Sequence, residues 1–225
     1  FTATNSESSW SGEYFSSGAR NAQDFRASVP IAGCKGNHEG AGTVYAKYYP
    51  YPYENSFYWS FDYGPLHVAV VDQYTAYTTG SAQHNWLTND LESSSKPWKA
   101  VIFHSPAWSA YGWHANNTTA QTHLQPLFTA NNVQLVFGGD NHYYARCDVD
   151  GVQHITTGGG GAPLYSPSSK EDFVVVCKRA FNHCELDIQG DTLYFTSYND
   201  SRGSVIDSFT LVTQIETDVT PPTPD

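Results

Sequence analysis

The 225-residue chain contains no methionine and begins at Phe1, so it is expected to be a processed or partial product with further sequence before it. Basic residues are scarce: 11 Lys and Arg stand against 22 Asp and Glu, a formal charge of −11. Such a surface repels polyanions, which disfavours nucleic acid or an anionic membrane as a partner. Charged residues make up only 15% of the chain and hydrophobic ones 40%, which argues for a globular domain and against disorder. No apolar run approaches the ~20 residues of a membrane-spanning helix, and none has the form of a secretory leader. The four cysteines include no Cys-x-x-Cys pair, so a cysteine-built zinc module is a poor reading.

Aromatic residues are abundant, with 16 Tyr and 6 Trp. Sequons occur at Asn116, Asn117 and Asn199. Together these suggest a secreted protein, extracellular or periplasmic, glycosylated where the host does so. Cys177 and Cys184 are close enough in sequence to staple a short loop, worth ~2–3 kcal/mol. Cys34 and Cys147 would then form the other pair, although sequence alone does not fix connectivity. An anionic substrate on so acidic a protein needs a local cation, and a metal ion is the usual source.

Along the chain, residues 19–26 carry a helical pattern and residues 28–34 read as a buried strand. The loop 45–53 holds five tyrosines, which either form a contact surface or, more commonly, pack. Residues 57–63 and 66–72 form a hairpin around Gly64-Pro65. A helix follows to Leu91, capped by Ser81 or Gly80, with Trp86 and Leu87 facing inward. Strands are expected at 98–103, 133–137 and 152–157, the last running into Gly158–Gly161. A helix over 118–130 is interrupted by Pro126. Four short strands, 174–177, 184–188, 192–198 and 205–212, suggest a second, meandering sheet. Residues 1–214 are read as one domain and 215–225 as a Pro/Thr-rich tail.

Three strands end in loops that carry metal-type donors. The first leads into Gly36-Asn37-His38-Glu39, the second into His104, and the third into Gly138-Gly139-Asp140-Asn141-His142. Nitrogen and oxygen ligands delivered from strand ends make a metal cradle at the rim of an α/β sheet. This series, with Tyr144 and Arg146, resembles the calcineurin-like metallophosphoesterases, with the purple acid phosphatase branch as the nearest match. Stretches such as Ala162-Pro163-Leu164-Tyr165 and Gly203 to Phe209 agree, so the resemblance runs over most of the chain. It implies an α/β sandwich of two mixed β-sheets flanked by helices. It also implies hydrolysis of phosphate monoesters or diesters at two metal ions, drawn from Fe, Zn and Mn. By the same resemblance Asn37 and His104 would ligate the second metal and His142 the first. His38 would contact the phosphoryl group, and His114 would protonate the leaving group. Phosphoester chemistry asks for the same parts: an activated hydroxide, charge neutralisation and an acid.

The chain departs from that pattern in two ways. Asp140 stands where the family has a ligand histidine; aspartate still coordinates Zn, Fe or Mn but adds negative charge. The aspartate motifs that hold the first metal are missing upstream of Gly36, where Asp24 is the sole Asp. The reading is therefore a phosphoesterase domain incomplete at its N-terminus, holding one or no metal by itself. A companion segment or chain would complete it and cover an apolar sheet edge. The alternative is a non-catalytic extracellular binding or assembly module on the same scaffold. His67, His84, His123, His154 and His183 are read as structural or surface residues. The Gly158–Gly161 run is read as a close backbone approach to the metal site rather than a phosphate loop.

Overall fold

The computed structural model describes residues 2–16 and 27–213. The expected helix at 19–26 and the whole of the expected tail, 215–225, lie outside them. Seven strands form a mixed sheet: β1 (Trp59–Tyr63), β2 (Leu66–Val70), β3 (Trp98–Ile102), β4 (Leu135–Gly138), β5 (Tyr144–Val149), β6 (Val152–Thr157) and β7 (Val174–Lys178). Their spatial order is β1-β2-β3-β4-β6-β5-β7. β2, β3, β4 and β6 run parallel, while β1, β5 and β7 pair antiparallel to their neighbours. β8 (Asn182–Gln189), β9 (Thr192–Asn199) and β10 (Ser204–Val212) form a separate antiparallel sheet.

The central strands are apolar on both faces because both faces are covered. In β3, Val101 packs toward the helices, while Ala100 and Ile102 pack toward the second sheet. In β4, Val136 packs toward the helices, and Leu135 and Phe137 toward the second sheet. α1 (Thr43–Tyr48) precedes the sheet. α2 (Ala82–Ser93) crosses from β2 to β3; Ser81 caps it by accepting the His84 N–H, and Leu87 and Leu91 are buried. The crossover from β3 to β4 is broken at Leu124 into α3 (Thr118–His123) and α4 (Gln125–Ala130). Pro126 lacks the N–H that a continuous helix would need, and it sits in the first turn of α4, where that loss is harmless.

Three expectations are corrected. Residues 28–34 do not pair as a strand, and Val29, Pro30 and Ala32 are exposed. Pro30 has no N–H to offer, and tyrosine hydroxyls from the aromatic loop stand in for a neighbouring strand. Tyr51 donates to Ile31 O at 2.7 Å and accepts from Gly33 N–H at 2.9 Å, and Tyr45 donates to Gly33 O at 2.8 Å. The tyrosine-rich stretch 45–53, expected as a loop, begins within α1 (Thr43–Tyr48) and packs, with Tyr45 fully buried. Secondly, β7 joins the larger sheet through β5 instead of the later meander. Thirdly, all four cysteines are free thiols. Cys177 lies opposite Ala145 in the seven-stranded sheet, whereas Cys184 lies opposite Ser197 in the other. Short sequence separation therefore does not bring these two into a bridge.

Candidate metal centre

The donors gather at the carboxyl ends of β3 and β4, the edge where open α/β sheets place their ligands. Gly36 opens a 3-10 turn over Asn37–Glu39. Glu39 folds back and accepts the Gly36 N–H at 2.8 Å, which closes the turn on itself. A side chain at 36 would put its Cβ 2.8 Å from His104 Nδ1 and Cε1, so glycine is the residue that lets the turn close on the imidazole. Asn37 Oδ1 then lies 3.0 Å from His104 Nε2.

After β4 the chain turns sharply at Asp140, whose φ is +58°. Its Oδ1 reaches 3.3 Å from His104 Nε2 and 3.6 Å from His114 Nε2. Burial by itself would raise the Asp140 carboxyl. The His104 hydrogen bond and the charges of His104 and His114 outweigh that and hold it below the ordinary carboxylate value. Asp140 is thus an anion, ready to act as a donor.

Asn37, His104, Asp140 and His114 are brought together; the two remaining sequence candidates stand apart from that set. His142 Nδ1 donates to Pro163 O at 2.9 Å, which leaves Nε2 as the lone-pair nitrogen suited to a metal. Its ring stacks on Tyr165 at 4.2 Å. His38 is exposed, and its Nδ1 pairs with Ala3 O at 2.8 Å, on the N-terminal segment.

Two supports escaped the sequence reading. Asn141, fully buried, accepts the His114 N–H at 3.0 Å and donates to His114 O at 3.0 Å and Ser109 Oγ at 3.3 Å. It clamps the loop that presents His114. Its position between two ligand candidates was the only signal, and that says nothing about direction. Tyr165 backs His142; its stretch was recognised, its contact was not. The glycine run does act by close approach: a Cβ at Gly158 would fall 2.2 Å from Asn141 O.

The donor set fits one ion. One imidazole nitrogen, one amide oxygen and one carboxylate oxygen suit Zn, Fe or Mn and leave positions open for water or substrate. Metal bonds of about 2.1 Å place neighbouring ligands about 3.0–3.4 Å apart, and the 3.0 and 3.3 Å separations fall in that range. Among the described residues no three His, Cys, Asp or Glu side chains gather as a ligand group; here an amide completes the set. Nor do the described residues assemble a second set around His142.

A mixed sheet covered on both faces, with metal-type donors at the ends of its parallel strands, is the metallophosphoesterase architecture. The chain belongs to the calcineurin-like phosphoesterase family, whose sequence model matches residues 2–144. It is 32% identical over 163 residues to purple acid phosphatase 18 of Arabidopsis thaliana, an alignment covering 63% of this chain and 37% of that protein. It is 30% identical over 135 residues to a purple acid phosphatase of Glycine max, covering 56% and 29%. The chain thus matches about a third of the length of these relatives. In structure it resembles the purple acid phosphatase PPD1 from yellow lupin, Lupinus luteus, with a TM-score of 0.72 and 21% identity, over 82% of this chain and 38% of that one. The Plasmodium protein GAP50, described as an anchor in the inner membrane complex, shares the fold at a TM-score of 0.60 and 15% identity, over 72% and 56%.

Proposed function

We propose that the chain forms part of a secreted metal-dependent phosphoesterase that hydrolyses phosphate mono- or diesters. The convergence of Asn37 Oδ1 and Asp140 Oδ1 on His104 Nε2, at 3.0 and 3.3 Å, carries this reading. These three side chains would hold one ion. When bound, it supplies Lewis acidity toward the phosphoryl group and acidifies a water. His114 gives a proton to the leaving oxygen, and Asn141 keeps it aimed. His38 donates from Nδ1 to Ala3 O, so it would contact a phosphoryl oxygen through Nε2–H only as the doubly protonated imidazolium. His142 would ligate a second ion through Nε2. Secretion and glycosylation rest on the sequons: Asn116 and Asn117 are partly exposed and are the acceptor candidates, whereas Asn199 is buried.

One observation favours a second reading, a non-catalytic binding module. Asp140 replaces the family's neutral ligand, and the described residues offer only His142 for the other ion. Hydrolysis of nitrophenyl phosphate in the presence of Zn²⁺ or Mn²⁺ separates the two. The enzyme reading predicts measurable turnover that falls at least about 100-fold in H104A. Folded, metal-loaded protein without turnover would support the module. Turnover unchanged in H104A would mean that the activity arises elsewhere.

A further inference from the structure

The loop that presents His114 also carries an aromatic surface that proton transfer does not require. Trp113 is 75% exposed and directly precedes His114. Its indole stands beside Tyr165, with ring centroids 5.8 Å apart and planes 29° from parallel. Tyr165 stacks on His142 and lies 6.0 Å from the His114 ring. Trp113 and Tyr165 therefore form a continuous aromatic wall next to the proposed proton donor.

The wall is anchored on both sides. Gly112 has φ +125°, and a Cβ there would meet the Tyr143 ring at 2.8 Å. Asn141 binds both backbone groups of His114. The Tyr143 hydroxyl donates to Tyr111 O, and the Ser168 N–H donates to Ala110 O at 2.7 Å. A large ring left exposed on a fixed loop is a ready-made stacking surface, since binding to it needs little ordering of the loop.

We infer that Trp113, backed by Tyr165, is the specificity surface for the leaving group, and that the site takes phosphoesters whose leaving group is a planar aromatic, a phenol or a nucleoside. This rests on the phosphoesterase reading. A planar ring laid against the indole gains stacking and holds the leaving oxygen near His114. An alkyl group gains neither.

The test is calorimetric binding of three non-hydrolysable probes to the full chain in Zn²⁺: phenylphosphonate, an adenosine 5′-phosphonate and methylphosphonate. At least one aromatic probe should bind about three- to tenfold tighter than methylphosphonate. Which one gains identifies the phenol or the nucleoside as the source. W113A should bring the three affinities together, and W113F should keep most of the difference. Equal affinities in the wild type, or a preference that survives W113A, would overturn this inference and leave the phosphoesterase reading standing. Failure of all three probes to bind would overturn both.

Discussion

Gly36 and Gly158 act by bringing backbone to where a methyl group would collide, and the two sites differ in what can yield. At Gly36 the obstacle is the His104 imidazole, a side chain. At Gly158 it is the Asn141 carbonyl at 2.2 Å, fixed within the ligand loop. G158A should therefore cost about 3 kcal/mol, the upper end of overpacking penalties, and G36A about 1–2 kcal/mol. Urea denaturation of both variants checks the order; equal midpoints would mean that the Asn141 loop gives way freely. At this scale the sequence was legible where chemistry dictates residue type. An Asn, a His and a carboxylate are residue types suited to a metal, and Asn37 from a 3-10 turn, His104 after β3 and Asp140 after β4 do meet. Asn141 was illegible because a buried clamp and an exposed loop amide look alike in sequence.

His67 of β2 ties three elements together, reaching β1 through Asp62 and α2 through Asp90. Nδ1 lies 2.8 Å from Asp62 Oδ1 and Nε2 lies 2.9 Å from Asp90 Oδ2, so the bridge is complete when the ring carries both protons. Burial works against the charged ring, but hydrogen bonds and charge from Asp90 and Asp62 outweigh it and raise its pKa above 6.5. A raised histidine stabilises the fold fully below the unfolded value, and that contribution is lost as pH rises through the folded value. Urea midpoints of the wild type should fall as pH is raised from 6.5, and H67Q should flatten the slope over that window. An equal slope in H67Q would assign the dependence to other groups. Element boundaries followed local pattern for the hairpin and for the helices between β2 and β4, whereas α1 (Thr43–Tyr48) formed where residues 45–53 read as a loop. Pattern failed for residues 28–34, where apolar character suggested a strand, yet tyrosine hydroxyls took up the backbone groups. It also missed β5, whose residues were read as motif rather than strand.

The whole molecule is held by the contact between its two sheets, with Asp207 of β10 at the junction. Arg146 of β5 reaches it with Nε at 2.7 Å and a second nitrogen at 3.2 Å, and the Tyr144 hydroxyl donates to it at 2.7 Å. Arg146 also lies over the Phe209 ring, at 4.6 Å. Removing either partner strands a buried charge, so R146M and D207N should each cost about 3–5 kcal/mol. The double variant should cost less than their sum, because one interaction is lost only once. Additive costs in chemical denaturation would contradict the coupling. The apolar residues Ala100, Val101 and Ile102 of β3 and Leu135, Val136 and Phe137 of β4 fit cover on both faces, and the two-sheet architecture was readable from the short strands that follow residue 174 and from the family resemblance. The allotment of β7 to the larger sheet was not, since strand pairing across about thirty residues leaves no local signature.

The most direct test of the account is a calorimetric titration of the full chain with Zn²⁺ and Mn²⁺, repeated on H104A and D140A. Saturable binding at a stoichiometry of at least one ion per chain is expected, with one site lost in both variants while the fold is retained. No binding to the wild type, or unchanged binding to H104A, would contradict it.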